Sequence, residues 1–229
     1  MKFSAVILAG GESSRMGRDK AGLLFEGHTL LERQAELLRS LQPTELFLAG
    51  GNNNYSLHEP LLGVPALAGP ADAPNRSGDR PKPGLRTAPL AGPRLDYQLL
   101  KDNFPGCGPL AGIESALTAT NAPLLLVQPV DLPCMSRETL KWLLKQCGEN
   151  AGAIPRLGRQ IEPLAAVYPK SACVLLRESL TAQRNAAQAF ARACVAQGWA
   201  RWADVPPEHA TSFTNCNTPQ EWEALTRHA

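Results

Sequence analysis

The chain has 229 residues, enough for a single α/β domain that carries an insertion. Its 23 basic residues against 21 acidic ones leave a net charge of +2, too little for a general nucleic-acid or membrane-surface field, so any phosphate-binding surface must be local. Hydrophobic residues make up 44% and charged residues 19%, a globular composition rather than a disordered one, and clean apolar runs such as residues 124–127 fall far short of the roughly 20 residues of a membrane span.

The amino terminus passes at once into a strand-like run, without the apolar core and small-residue cleavage site of a secretory signal, which predicts a cytoplasmic protein with no membrane attachment. Cys107, Cys134, Cys147, Cys173, Cys194 and Cys216 form no C-x-x-C pair, and with His28, His58, His209 and His228 they show no zinc-type spacing. Reduced, mostly buried thiols are expected, not disulfides or a metal cage.

Residues 4–8 (S-A-V-I-L) form a short apolar, β-branched run that stops at Gly10-Gly11, the pattern of a buried parallel strand entering a glycine loop. Thr29 followed by Glu32 is a capping box, and Leu30, Leu31, Gln34, Leu37, Leu38 and Leu41 follow at helical spacing until Pro43. Residues 45–48 predict a second strand ending in Ala49-Gly50-Gly51. Residues 57–94 hold 8 of the 20 prolines in 38 residues and lack apolar periodicity, which predicts a loop or disordered insertion, or else a lid. A helix over 110–120, a strand over 124–130 and a helix capped by Ser136, with Leu140, Leu143, Leu144 and Cys147 on its apolar face, come next. Beyond residue 151 a hairpin is expected, with 151–154 and 161–168 joined by the turn 156–159. Helices over 171–180 and 186–196, edge strands over 199–203 and 213–216, and a last helix over 218–226 with Pro219 in its first turn complete the chain. Strands alternating with helices predict an α/β fold, Rossmann-like and doubly wound, with a mostly parallel sheet and a mixed C-terminal part. Its ligand site would lie at the carboxyl ends of the strands.

The densest chemistry lies in Leu8-Ala9-Gly10-Gly11-Glu12-Ser13-Ser14-Arg15-Met16-Gly17-Arg18-Asp19-Lys20. Glycines let backbone amides approach phosphate oxygens, while Arg15 and Lys20 can neutralise a triphosphate, one by a forked contact and the other as a point charge. No Gly-Lys-Ser/Thr follows and G-x-G-x-x-G is absent, so neither a P-loop nor a dinucleotide fingerprint is present. An ordinary glycine turn with solvated charges is the alternative. Asp131 follows an apolar strand and precedes a proline, Pro133, so its carboxylate would project from a strand's carboxyl end. A lone carboxylate there can hold Mg²⁺ together with substrate phosphates and waters, or cap the next helix, although Ser136 is the better cap.

The first motif resembles that of the molybdenum cofactor guanylyltransferase family, a strand followed by LAGG-x-S-x-RMG-x-DK. The resemblance resumes at Gly108-Pro109-Leu110-Ala111-Gly112, at Gln128-Pro129-Val130-Asp131-Leu132-Pro133 and at Asn215-Cys216-Asn217-Thr218-Pro219. It implies a fold of the nucleotide-diphospho-sugar transferase type in one nucleotidyltransferase domain. Residues 1–135 would form the nucleotide-binding half with its insertion at 57–94, and residues 136–229 the acceptor-binding half. It further implies transfer of GMP from GTP to the molybdopterin-molybdenum cofactor with release of pyrophosphate, and transient contact with a molybdoenzyme or its chaperone, without nucleic acid or membrane.

By the same resemblance Leu8, Ala9, Gly10, Gly11 and Lys20 contact the nucleotide, and Arg15 and Lys20 the phosphates. Asp131 binds Mg²⁺, and Asn215 and Asn217 lie on the acceptor side, where an asparagine before Thr-Pro is equally a common helix start. Asp102 matches a nucleotide-contacting aspartate at a spacing one residue shorter, and Asn52 a nucleotide-contacting asparagine in an Asn52-Asn53-Asn54 run of ambiguous register. Arg156, Arg159 and Glu162 near the hairpin would face the acceptor or simply be solvated. The resemblance links the Gly10-Gly11 form to GTP and an A-A-G form to CTP. The rival readings are therefore a cytidylyltransferase, a sugar-phosphate nucleotidyltransferase and a non-catalytic nucleotide-binding protein.

Overall fold

A computed structural model describes residues 1–9, 20–50 and 97–216, with Lys20 and Leu24 described by their backbone. In chain order these residues form β1 (Phe3–Leu8), β2 (Leu24–Phe25), β3 (His28–Thr29), α1 (Leu30–Arg39), β4 (Leu46–Ala49) and β5 (Gln98–Leu100). They continue with α2 (Pro109–Ala119), β6 (Leu124–Pro129), α3 (Arg137–Lys145), β7 (Gly152–Leu157), β8 (Gln160–Ile161), β9 (Val167–Pro169), α4 (Ala172–Thr181), α5 (Ala187–Ala196) and β10 (Ala200–Asp204).

The eight-stranded sheet runs in the order β10-β7-β9-β6-β1-β4-β5, with β8 hairpinned onto β7. β1 is parallel to β4 and β6, and β4 to β5, whereas β9 is antiparallel to both β6 and β7. This is the expected α/β architecture with a mixed carboxyl-terminal part. All six residues of β1 are buried, because successive side chains enter opposite layers. Phe3, Ala5 and Ile7 pack under α1 and α3. Val6 and Leu8 pack under α2, α4 and α5. After β1 the chain moves outward through α1 to β4 and then β5, and it returns through α2 to β6 on the other flank of β1. The crevice beyond the carboxyl ends of β1 and β6 is thus the topological switch point, where sheets of this kind bind ligands.

The helix starts follow their sequence signals. Glu32 N donates to Thr29 Oγ1 at 3.1 Å, and Thr29 N donates to Glu32 Oε2 at 2.8 Å, which completes the capping box of α1. Ser136 Oγ accepts from Thr139 N at 3.1 Å at the start of α3. The hairpin is shorter than its pattern suggests. Gly158, at φ +60°, turns β7 into β8, but pairing stops after Ile161, and the chain crosses over to become β9. Pro163 has no amide to extend the ladder there. The strand expected over 213–216 is absent. Phe213 instead closes the 3-10 segment Pro207–Phe213, and Thr214 N turns back to Thr211 O at 3.1 Å. β5 and the β2–β3 pair are too short to have been expected, β2 being only the end of the run Leu23-Leu24-Phe25. The insertion at 57–94 and the helix expected over 218–226 lie outside the described residues. No helix among the described residues is long and apolar enough to cross a membrane. All six cysteines are free, and Cys194 and Cys216 are buried.

At the amino-terminal base of the sheet, the Glu45 carboxylate accepts from Ser4 Oγ (2.7 Å), Thr120 Oγ1 (3.1 Å), Asn121 N (2.9 Å) and Asn121 Nδ2 (2.8 Å). One carboxylate thereby ties β1 to the turn between α2 and β6. Burial alone would raise its pKa, but the hydrogen bonds from Ser4, Asn121 and Thr120 outweigh that and hold it below the ordinary glutamate value. Glu45→Ala is expected to destabilise the chain by about 1–2 kcal/mol at neutral pH, since the carboxylate is half-exposed and Ser4 would be left buried without its acceptor. A lowered folded pKa stabilises fully above the unfolded value and loses that contribution as the pH falls through the folded one. The gap in urea midpoint between the two proteins should therefore narrow below pH 4.5.

Candidate active site

The carboxyl edge of the sheet is built from two parallel strands whose ends are level. Leu8 lies opposite Pro129 in register. Val130 N donates to Leu8 O at 3.0 Å, and Ala9 N donates to Ala49 O at 2.9 Å, so the backbone leaving β1 is held on both sides. Asp131 comes two residues after β6. Side chains from α1 fix its loop: Gln34 Nε2 donates to Leu132 O at 2.8 Å and Arg33 Nε to Pro133 O at 2.8 Å. Gln34 is fully buried, and its Oε1 accepts from Gln128 Nε2 at 3.1 Å. Asp131 O itself accepts from Cys216 N at 3.1 Å, which brings exposed Asn215 alongside.

Glu162, half-buried just past β8, faces this edge electrostatically. Burial and the negative charge of Asp131 push its carboxyl up, against a hydrogen bond from Gln160 that pulls it down. Arg156 is paired within the chain. Its guanidinium is engaged by Asp204 through Nε (2.6 Å) and a second nitrogen (2.9 Å).

On the far flank, Asp102 lies two residues beyond β5, with β4 separating that strand from β1. Its carboxyl is pushed up by burial, and Oδ1 is buried without a hydrogen-bond partner among the described residues. Next to it α2 begins at Gly108, a φ of +69° with no side-chain cap. Pro109 at its first position has no amide, and Ala111 N donates to Gly108 O at 3.0 Å, so the first turn is closed largely within the chain. The helix lies close against the strand ends: a Cβ at Gly112 would come within 3.0 Å of Ala49 Cβ and 3.2 Å of Leu8 Cδ2.

Of the residues expected at the site, the structure therefore groups Leu8, Ala9, Asp131 and Asn215, and sets Asp102 at the opposite flank of the same edge. Lys20 begins the 3-10 turn Lys20–Gly22. Gly10, Gly11, Arg15, Asn52 and Asn217 lie outside the described residues. Sequence reasoning missed the roles of Arg33 and Gln34. The signal for Gln34 was its polarity at an apolar-stripe position. Among the described residues, no group of three or more His, Cys, Asp or Glu could hold a metal by itself. A carboxylate such as Asp131 fits a hard cation that takes most of its oxygen ligands from substrate phosphates and water.

An open α/β sheet with the Asp131 loop pinned at its switch point and a glycine-led helix beside it has the architecture of a nucleotide-binding α/β domain. Residues 5–198 match the MobA-like NTP transferase domain, and the chain belongs to that family. A probable molybdenum cofactor guanylyltransferase of Opitutus terrae is 30% identical, over 96% of this chain and 92% of the relative. A molybdenum cofactor guanylyltransferase of Xanthomonas euvesicatoria is 28% identical, over 97% and 94%. Among solved structures, the molybdopterin-guanine dinucleotide biosynthesis protein A of Archaeoglobus fulgidus superposes with a TM-score of 0.69 at 20% identity, over 98% of this chain and 97% of its own. The 2-C-methyl-D-erythritol 4-phosphate cytidylyltransferase of Thermus thermophilus gives 0.56 at 18%, over 97% and 96%. At these identities the two structures speak for the fold.

Gln34→Ala is expected to cost about 1–3 kcal/mol, because the buried Leu132 carbonyl would lose its side-chain donor and the Gln128 amide would keep only its longer contact to Pro129 O, at 3.4 Å. Urea unfolding measures it. A loss no larger than that of Glu36→Ala, on the exposed face of the same helix, would remove Gln34 from the loop's supports.

Proposed function

We propose that this chain transfers GMP from GTP to the molybdopterin-molybdenum cofactor, releasing pyrophosphate and leaving a guanine dinucleotide cofactor. The observation that carries this reading is the pinned Asp131 loop beside the Leu8–Ala9 backbone, in a chain that aligns over nearly its whole length with guanylyltransferases. The terminal phosphate oxygen of the acceptor attacks the α-phosphorus of GTP and forms a new P–O bond, while the bond from the α-phosphorus to the oxygen bridging toward the β-phosphate breaks, and pyrophosphate leaves with that electron pair. Such an in-line displacement depends on positioning and charge neutralisation, and no protein nucleophile is involved.

In this reading the backbone of residues 8–11, with Asn52 and Asp102, binds the nucleotide, Arg15 and Lys20 bind the triphosphate, and Asn215 and Asn217 bind the acceptor. Asp131 would hold Mg²⁺, which supplies charge neutralisation on the phosphate oxygens when bound. Residues 1–135 serve the nucleotide and 136–229 the acceptor. Six free thiols support the cytoplasm as the compartment, and delivery of the product calls for transient contact with a molybdoenzyme or its chaperone.

The test is a competition with equal GTP and CTP in the presence of molybdopterin cofactor and Mg²⁺, scoring the dinucleotide formed. The guanine product is expected. The cytosine product would move the chain to a cytidylyltransferase reading, and turnover with sugar phosphates alone would replace the acceptor. Asp131→Asn is expected to abolish turnover with unchanged melting behaviour, and Lys20→Ala to cost about 2–4 kcal/mol of transition-state stabilisation. Full activity of Asp131→Asn at saturating Mg²⁺ would end the metal assignment.

A further inference from the structure

Glu114 sits in the middle of α2 among residues that are nearly all buried, and its side chain is 1% exposed. An ionised carboxylate in such a layer is costly unless it is paired and hydrogen-bonded, and an apolar residue would fill the space as well. Its partners come from three places. Arg177 Nε, from α4, donates to Oε1 at 2.5 Å, and Thr118 Oγ1, one turn along α2, donates to the same oxygen at 2.9 Å. Asn103 Nδ2 donates to Oε2 at 2.9 Å. The backbone amide of Asn103 is itself tied to α2, donating to Ser115 Oγ at 3.1 Å.

Asn103 is the residue after Asp102. The segment that follows it is a turn, with Cys107 N donating to Phe104 O at 3.2 Å and two glycines in the left-handed region, Gly106 (φ +80°) and Gly108 (φ +69°), so its shape is local but its placement on the sheet edge is not. What fixes the start of that segment is the double tie from Asn103 to α2, and what fixes the buried end of the tie is Arg177 on another helix. The chain of contacts ends beside a carboxylate whose Oδ1 is left without a partner among the described residues.

We infer that Arg177, Glu114 and Asn103 form a positioning chain that sets Asp102 and the amino end of α2 for the nucleotide, so that Asn103 governs nucleotide affinity through Asp102 without touching the nucleotide itself. The inference rests on the nucleotide reading above, and it adds three residues to which that reading gave no part. Because Asn103 is exposed at the surface and Arg177 is half-exposed, both can be truncated without opening a cavity in the apolar layers, while Arg177→Ala also lowers stability by leaving the buried Glu114 without its charged partner.

The experiment measures GTP binding in the presence of Mg²⁺, together with KM for GTP, kcat and thermal midpoint, for the full chain and for Asn103→Ala, Arg177→Ala and the double variant. Asn103→Ala is expected to raise the GTP Kd and KM about tenfold with kcat within about twofold. Arg177→Ala should shift the same constants in the same direction by less, and Arg177→Lys should recover part of that shift. The double variant should be no worse than Asn103→Ala alone, because residues acting through one chain are not additive. A purely structural network would lower the thermal midpoint with GTP Kd and KM unchanged, and that result would overturn the inference alone. Failure of the unaltered chain to bind GTP would overturn the proposed function and this inference with it.

Discussion

The parallel pairing of β1 with β6 is the contact on which the carboxyl edge depends. With Leu8 opposite Pro129, the first amide beyond β6 reaches back to Leu8 O, and the loop that follows has nowhere to go but over the end of β1. A slip of one residue would turn Val6 and Ile7 into each other's layers and move Asp131 away from the strand it faces. The two apolar layers hold that register, since the alternating side chains of β1 fit only one assignment of faces. Burial on both sides of a single strand is therefore what places a carboxylate at the switch point.

The carboxyl-terminal part holds the same loop from the other direction. The 3-10 segment Pro207–Phe213 docks on α3 through Thr139 Oγ1, which lies 2.8 Å from Ser212 Oγ and 3.1 Å from His209 Nδ1, with the His209 ring 5.5 Å from that of Trp142. That docking delivers Cys216 N to Asp131 O and Asn215 to the edge. The loop carrying Asp131 is thus gripped by α1 from the amino-terminal part and by the backbone of the last described residues. A change that loosens either grip would be felt at the same atom.

What could be read from the sequence divides along the range of the interactions involved. The α1 cap was legible because Thr29 and Glu32 are three residues apart, and β1 because the apolar run in residues 4–8 is long enough to be buried on both faces. Asp131 stood out because an acid follows an apolar strand directly. Gln34 was counted as part of an apolar stripe, and its position was right while its work was not: its amide serves residue 132, far along the chain. Glu114 and Arg177 are 63 residues apart, and nothing local marks either as the other's partner. β5 was missed because an edge strand of three residues, two of them exposed, needs no apolar run. Arg156 was read as facing the acceptor or simply solvated, and no local pattern could have shown that Asp204, on a strand 48 residues later, would take its guanidinium.

The join between β4 and β5 has a consequence for chain length. These strands are parallel neighbours, paired from Phe47 with Gln98 to Ala49 with Leu100, so whatever connects them must begin and end at fixed points on one sheet. A parallel crossover needs about a dozen residues, and here 48 residues lie between Ala49 and Gln98. Counted purely as chain statistics, closure entropy grows with the logarithm of length at about 0.6 kcal/mol per doubling, so those two doublings add only about 1.2 kcal/mol. Length at this junction is nearly decoupled from the stability of the sheet. The anchor points, and with them the placement of Asp102, are set by strand pairing and by the ties to α2, and a connection of quite different size could be spliced between them at little thermodynamic expense.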